Sequence, residues 1–244
     1  MNNAGYFSRE YAIKSYECDC NRKLRIITLM NIFQDVADSH ASKIGVGIEH
    51  CLANGLAWVG SNYHIKIFRM PEWHEKIIVK TWPSGKSKLI ATRDFKVEDE
   101  SGNTIIVASS QWVLIDFAKK RPVALENNLP EYPLIEERSL DTDFPKYNAP
   151  ERDDFIQSVK VRYDDIDVNK HVNNSIYPLW ATECVDSNFR AEYQPMELEI
   201  SFKKECCYGE LVEVRTQVEE KTTLHSITVP ADNKEVARLR ILWK

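Results

Sequence analysis

The stretch Ile65-Lys66-Ile67-Phe68-Arg69 is echoed 135 residues later by Ile200-Ser201-Phe202-Lys203-Lys204. The match continues without a gap: Glu75, Ile77, Val79 and Thr81 fall opposite Glu210, Val212, Val214 and Thr216. Both stretches alternate apolar and polar residues, which is typical of a strand with one buried face. The chain is therefore predicted to be a diverged duplication of one structural unit.

Each half is predicted to contain one amphipathic helix, over residues 28–40 and 174–189. Strand-like segments follow each helix, at 57–69, 76–82, 88–98 and 104–117, and again at 197–204, 211–219, 224–229 and 236–243. A helix and a sheet bury each other best when the helix crosses the concave face, and two such units can join at their sheet edges. The predicted fold class is α+β, with two fused units that each wrap a long helix in an antiparallel sheet, forming one extended sheet.

The boundaries follow from composition. Residues 125–153 contain Pro130, Pro133, Pro145 and Pro150 among many acidic residues, which is typical of a linker. The sequence therefore predicts an N-terminal unit over 1–124, a linker over 125–153 and a C-terminal unit over 154–244.

Composition excludes several classes of protein. The net charge of -5 does not favour a nucleic-acid binder, which is expected to carry a basic stripe. No apolar run approaches the ~20 residues that cross a bilayer, and no signal peptide is visible at the amino terminus. The six cysteines have neither zinc-site nor disulfide spacing. We expect reduced thiols, no membrane span, and neither a metal nor a cofactor.

The densest group of chemically capable side chains lies just before the second helix, at Asp167, Asn169 and His171. In an extended segment these three side chains would face one site together. Asn173 or Asn174 can cap the following helix, whose free N–H groups can polarise a carbonyl. We therefore predict a reactive site in which Val172, Asn173 and Asn174, at the start of the helix, stabilise an oxyanion formed from that carbonyl. The alternative is a polar turn with a structurally satisfied histidine.

The first half lacks this group. An offset of 147 residues, set by Tyr16-Glu17 and Tyr163-Asp164, places Cys20, Arg22 and Leu24 opposite the three polar residues, and Met70 falls opposite Glu205 at the offset of 135. We expect one half to react and the other to hold the substrate.

The run from Asp167 to Trp180, with its Asp-x-Asn-x-His-Val-Asn-Asn core, resembles the signature of plant and bacterial acyl-ACP thioesterases. So does Phe202-Lys-Lys-Glu205-Cys206, and in the first half Ala108-Ser-Ser-Gln-Trp-Val113 is similar to the same family. The resemblance implies a double hotdog fold. It also implies hydrolysis of the thioester between a fatty acid and the phosphopantetheine of acyl carrier protein (ACP).

The resemblance assigns Asp167, Asn169, His171 and Glu205 as the catalytic set, while Cys206 matches a cysteine proposed in the family as the nucleophile. Adjacent residues on a strand face opposite ways, so only one of Glu205 and Cys206 can join the site. We favour Glu205 and His171 activating a water molecule. Direct attack by Cys206, with His171 as its base, stays as the alternative.

Two further sets are assigned by position. Because the first half has kept its apolar residues, we predict that an acyl pocket is lined by Met30, Phe33, Val36, Trp58 and Ile67, although core packing is the commoner role of such residues. The acidic ACP should meet a basic patch, for which we select Lys86, Lys88 and Arg93, with Lys203 and Lys204 as the alternative.

Other functions remain open at this point. One is an acyl-CoA thioesterase of the wider hotdog group. Another is a hotdog dehydratase or hydratase using Asp35, Asp38 and His40 of the first helix, and a third is an acyl-binding module without activity. The absence of a transit peptide favours a bacterial cytoplasmic protein, and a homodimer is left open.

Overall fold

The computed structural model describes residues 5–244, which form two compact units that meet in sequence at Asp143 and Phe144. The helices are α1 (Ile26–Lys43), α2 (Ile48–Ala53), α3 (Leu125–Asn128), α4 (Ile176–Glu183) and α5 (Ser187–Glu192). The strands of the first unit are β1 (Phe7–Ala12), β2 (Leu56–Ile67), β3 (Lys76–Lys86), β4 (Ile90–Asp99), β5 (Thr104–Asp116) and β6 (Arg121–Pro122). Those of the second are β7 (Phe155–Lys160), β8 (Pro195–Phe202), β9 (Leu211–Glu219), β10 (Thr222–Val229) and β11 (Lys234–Trp243).

In the first unit the strands pair antiparallel in the order β1-β3-β4-β5-β2, and β6 adds to β5. Helix α1 packs against β1 and β3 with an apolar face that includes Leu29, Phe33 and Val36. The ring of Phe33 stacks on that of Phe95 in β4 at 4.6 Å. The predicted helix and the four predicted strands of this half are confirmed.

In the second unit the order is β8-β11-β10-β9-β7, and α4 packs against β9, β10 and β11. The predicted helix over 174–189 is interrupted, because Asp186 caps a second helix by accepting from the backbone N–H of Asn188 at 2.9 Å. Pro178 occupies the third position of α4, where a missing N–H costs no helical hydrogen bond.

Strands β1 and β7 were not predicted. Each precedes the helix of its unit and is itself a terminal strand of the sheet, β1 paired with β3 and β7 paired with β9. Each is six residues long with alternating exposure. Such short alternation beside a polar segment is a weak signal in sequence.

The predicted linker is not structureless throughout. Residues 125–128 form α3, and residues up to Asp143 pack with the first unit. Asp94 on β4 has no exposed side-chain surface and accepts from the Ser139 N–H at 2.6 Å and from Arg138 Nε at 3.1 Å. The Trp82 indole donates to the carbonyl of Glu137 at 2.8 Å. This segment is therefore a strap bonded to the sheet, and we call residues 129–143 the strap.

No helix among residues 5–244 is long and apolar enough to span a membrane.

Candidate active site

The segment that precedes α4 is a tight turn. The Asp167 N–H donates to the carbonyl of His171 at 2.8 Å, and the Lys170 N–H donates to the carbonyl of Asp167 at 3.0 Å. Lys170 closes the turn with a φ of 66°. The expectation of an extended segment, with side chains alternating over residues 167–171, is therefore wrong. Backbone hydrogen bonds within the turn replace those of a strand.

The carboxylate of Asp167 supports this turn from inside. Its Oδ1 accepts the backbone N–H of Asn169 at 2.8 Å and, more weakly, that of His171 at 3.5 Å. The side chain of Asp167 therefore stabilises the backbone of the turn that contains Asn169 and His171.

His171 and Glu205 do come together, with Nε2 of the imidazole 3.1 Å from Oε2 of the carboxylate. The backbone fixes this contact, because the Val172 N–H donates to the carbonyl of Cys206 at 2.9 Å. The imidazole is 23% exposed and the carboxylate 41% exposed, so a water molecule or a substrate can reach the pair. A histidine and a carboxylate in this arrangement can orient each other and transfer a proton.

Glu205 and Cys206 lie in the loop between β8 and β9, not on a strand as expected. They still point to different surroundings. Cys206 has no exposed surface, whereas Glu205 is exposed. Burial, reinforced by a hydrogen bond with Glu210, raises the pKa of the Cys206 thiol to about 12. A thiol of that pKa holds very little thiolate at neutral pH, which disfavours it as a nucleophile.

The prediction that Val172, Asn173 and Asn174 all donate to an oxyanion is wrong for two of the three residues. The N–H of Val172 is bonded to Cys206, and the N–H of Asn173 donates to the carbonyl of Asp165 at 2.9 Å. Two of the three predicted groups are therefore occupied by loop-to-loop bonds. Among residues 5–244 the N–H of Asn174 has no acceptor, and Asn174 lies directly before the first turn of α4.

Asn169 lies exposed at the tip of the turn. Within the described part of the chain its side-chain amide has no hydrogen-bond partner, while its backbone N–H is held by Asp167. The amide is therefore available to a ligand, although the structure does not bring it into contact with His171.

The same turn occurs in the first unit, at an offset of 148 residues. Asp19 Oδ1 accepts the N–H groups of Asn21 and Lys23, each at 2.9 Å, and the Asp19 N–H donates to the carbonyl of Lys23 at 2.8 Å. Arg22 closes this turn with a φ of 64°, as Lys170 does in the second unit.

The offset of 147 was therefore wrong by one residue. It placed Glu17 opposite Asp164, whereas the hydrogen bonds make Glu17 equivalent to Asp165. The Lys14 N–H donates to the Glu17 carboxylate at 2.7 Å, just as the Arg162 N–H donates to Asp165 at 2.8 Å.

In the corrected register the first unit keeps the aspartate and the asparagine of the site and has Lys23 in place of His171. Lys23 Nζ pairs with Glu72 at 2.5 Å, where the second unit has its His–Glu pair. The first unit thus retains the framework of the turn but not an imidazole.

Arg93 does not belong to a docking patch. It is 9% exposed and bonded to His40 inside the first unit, because alternation along β4 turns its side chain toward α1. Lys86 and Lys88 are exposed, as a docking role requires, and Lys204 of the alternative patch is exposed as well. Lys203 is exposed but pairs with Glu235.

The residues predicted for the acyl pocket lie in or beside the core of the first unit. Met30, Phe33, Val36 and Ile67 are buried. Trp58 packs on a small apolar cluster around Leu56, and its indole donates to the carbonyl of Val46 at 2.9 Å.

Comparison with known proteins matches both halves. Residues 5–132 match the family model of the acyl-ACP thioesterase N-terminal domain, and residues 148–244 match that of the C-terminal domain. An oleoyl-acyl carrier protein thioesterase from Arabidopsis thaliana is 22% identical, over 98% of this chain and 76% of its own length. An acyl-[acyl-carrier-protein] hydrolase from Cuphea viscosissima is 29% identical over 87% of this chain, which covers 55% of that relative.

Solved structures agree on the fold. An acyl-ACP thioesterase from Bacteroides thetaiotaomicron superposes with a TM-score of 0.89 over 98% of both chains at 22% identity. A 12:0-ACP thioesterase from Umbellularia californica gives 0.87 at 24% identity, covering 100% of this chain and 98% of its own. The fold is that of the double hotdog proteins. With family models matched across both units, this chain belongs to the acyl-ACP thioesterase family.

Proposed function

We propose that this protein hydrolyses the thioester of fatty acyl-ACP to a free fatty acid and the thiol of the carrier. The observation that carries the proposal is the contact of 3.1 Å between His171 and Glu205, half-exposed beside a helix start. Membership of the family and the names of the relatives, which act on acyl-ACP, support the choice of substrate.

In the proposed mechanism the carboxylate of Glu205 accepts a proton from a water molecule, whose oxygen attacks the thioester carbonyl. His171 holds the carboxylate by its 3.1 Å contact and passes the proton to the departing sulfur. The buried, protonated thiol of Cys206 supports this route over direct attack by sulfur. Asp167 acts on the reaction through the turn, as a positioning residue.

The developing oxyanion needs donors that are not already bonded. The N–H of Asn174 and the side-chain amide of Asn169 meet this condition among residues 5–244. The positive end of the α4 dipole adds to their effect. Both groups belong to the turn and helix start that also carry His171.

We assign the reaction to the C-terminal unit and retention of the acyl chain to the N-terminal unit, with boundaries near those predicted. The support is the replacement of the imidazole by Lys23 in an otherwise conserved turn. Lining of the pocket by Met30, Phe33, Val36, Trp58 and Ile67 is part of this proposal, as is a location in the bacterial cytoplasm.

A dehydratase is disfavoured by the surroundings of two of its three predicted residues, His40 and Asp35. His40 has no exposed surface, and its Nδ1 lies 3.1 Å from the guanidinium of Arg93. Asp35 is engaged by Arg9 and Tyr11, both at 2.5 Å. Neither residue is free to exchange a proton with a substrate.

The test is the release of free fatty acid from acyl-ACPs of graded chain length, with the same acyl groups on CoA alongside. Preferential turnover of acyl-ACP is the expected result. Turnover of CoA esters alone would transfer the protein to the wider hotdog thioesterases. No release from either carrier would refute hydrolysis and leave acyl binding.

A further inference from the structure

Within residues 5–244, Arg93 in β4 is a buried cation without a carboxylate partner. In the same range only its Nη1 is bonded to side chains, to Nδ1 of His40 and to Oγ1 of Thr81, each at 3.1 Å. The neighbouring Asp94 points to the other face of the sheet, where it pairs with Arg138. No acidic side chain among residues 5–244 forms an ion pair with Arg93.

The His40 contact does not neutralise this charge. A guanidinium has N–H donors and no acceptor, so Nδ1 of His40 must accept and is unprotonated. Burial lowers the pKa of Arg93 to about 10, which still leaves it charged at neutral pH. An uncompensated buried charge is strongly destabilising, so a protein that keeps one has a use for it or a partner for it.

The free side of Arg93 has the geometry of a carboxylate fork. In the part of the chain that the structure describes, Nε and Nη2 have no hydrogen-bond partner. These two groups point the same way and bind the two oxygens of a carboxylate in parallel. The residue as a whole is 9% exposed.

A second group with no partner lies nearby. The hydroxyl of Tyr132, in the strap, is buried and has no hydrogen-bond partner among residues 5–244. The strap is tied to the sheet beside Arg93, because the Ile135 N–H donates to the carbonyl of Pro83 at 2.9 Å and Pro83 is the register partner of Arg93 in the β3–β4 pair. In agreement with this placement, the positive charge of Arg93 opposes the rise that burial causes in the pKa of Tyr132. Buried polar groups without partners are uncommon in native proteins.

We propose that Arg93 and Tyr132 form a buried carboxylate-binding site in the first unit. The two oxygens of a monocarboxylate accept from Nε and Nη2, and one also accepts from the Tyr132 hydroxyl. A small carboxylate such as acetate and the head group of a free fatty acid share this chemistry. The site is separate from the His171–Glu205 pair and does not depend on the reaction proposed for it.

Thermal unfolding in acetate, butyrate or octanoate, with chloride making up a constant ionic strength, tests the site. The His171→Ala variant serves as the parent protein, which weakens competing binding at the reactive pair. We expect the midpoint to rise with carboxylate concentration, and octanol to have no such effect. Response to all three acids identifies small carboxylates as ligands, and response to octanoate alone identifies the fatty acid head group.

The same series in Arg93→Gln should show no carboxylate-dependent rise, and its midpoint without ligand should lie above that of the parent because the unpaired charge is gone. Calorimetry on Tyr132→Phe gives an independent measurement, with binding about fivefold weaker for the loss of one hydrogen bond. An absent rise in the parent, an equal rise in Arg93→Gln, or unchanged affinity in Tyr132→Phe would overturn the site.

Discussion

At the scale of single residues, the surroundings of each cysteine decide its chemistry. Cys20 and Cys207 are exposed, whereas Cys18, Cys51, Cys184 and Cys206 are buried. The pKa of Cys206 is raised to about 12, mainly by burial. In the sequence Cys206 is next to Glu205, but adjacency in sequence carries no information about exposure.

We therefore expect alkylation of the native protein at pH 8 to modify Cys20 and Cys207 rapidly and to spare Cys206. Mass mapping of peptides after brief exposure to iodoacetamide gives the result directly. Unfolding in guanidinium should make all six thiols reactive. Rapid modification of Cys206 in the folded protein, accompanied by loss of activity, would restore it as a candidate nucleophile.

We expect His225 in β10 to make folding sensitive to acid. Burial lowers its pKa to about 3, and both ring nitrogens contact threonine hydroxyls, Thr216 at 2.8 Å and Thr223 at 2.7 Å. The folded protein therefore keeps His225 neutral, while the unfolded chain binds a proton below about pH 6.5. Between about pH 6.5 and pH 3 the unfolded chain therefore binds more protons than the folded protein, and proton binding stabilises the unfolded state.

The free energy of unfolding should fall as the pH drops from about 6.5 towards 3, with His225 contributing up to about 1.4 kcal/mol per pH unit. Above that interval its contribution is constant. Denaturant unfolding of the wild type and of His225→Gln at several pH values measures the difference. Equal slopes in the two proteins would show that His225 is not held neutral.

At the scale of elements, the turn before each helix is the part of the site that the duplication has kept. Asp19 and Asp167 both accept two backbone N–H groups of their own turns. The carboxylate therefore has a structural role that does not require catalysis. In the proposed function, activity depends on the residue that the turn carries, which is Lys23 in one unit and His171 in the other.

We expect Asp167→Ala and Asp19→Ala each to lower the free energy of unfolding by about 1–2 kcal/mol, as loss of a capping side chain does. Hydrolysis should fall at least about tenfold in Asp167→Ala, because the turn that positions His171 is loosened. It should stay near the wild-type rate in Asp19→Ala. Equal loss of activity in both variants would mean that the second turn has no special role.

The same element shows how far sequence reasoning reached. Periodicity predicted the two helices and the eight strands. The family motif predicted that His171 lies close to Glu205. The turn at Asp167 was not, since alternating polar residues occur equally in strands and in Asx turns. The retained Asp-x-Asn in residues 19–21 was visible in the sequence but hidden by an offset one residue short. The helix break at Asp186 was hidden by apolar periodicity that continues across it.

At the scale of the whole molecule, we propose that recognition of the carrier depends on charge at the surface. Lys86 and Lys88 are exposed, and Lys86 is only loosely paired, with Glu131 at 3.8 Å. Burial of Arg93 could not be read from the sequence, because a basic residue on a half-buried strand is ordinarily placed toward solvent. The proposed patch is therefore reduced to the two lysines.

In the double variant Lys86→Glu with Lys88→Glu we expect KM for acyl-ACP to rise several-fold at low salt, with acyl-CoA kinetics unchanged. Attraction between opposite charges speeds association with the acidic carrier. Because salt screens this attraction, the difference in KM between the variant and the wild type should become smaller as the salt concentration rises. Lys203→Glu with Lys204→Glu is the matched comparison on the second unit. If only the latter pair raises KM, docking belongs to the alternative patch.

The most direct test of the central claim compares initial rates of acyl-ACP hydrolysis in Glu205→Gln and Cys206→Ala, with Lys23→Ala as a control for the loss of an ion pair in an equivalent turn. Activation of water by Glu205 predicts a loss in kcat of at least about a hundredfold in Glu205→Gln. It predicts rates within a few-fold of wild type in the other two variants. Near-normal turnover in Glu205→Gln, with activity abolished in Cys206→Ala and an acyl group found on Cys206 of the wild type, would contradict it.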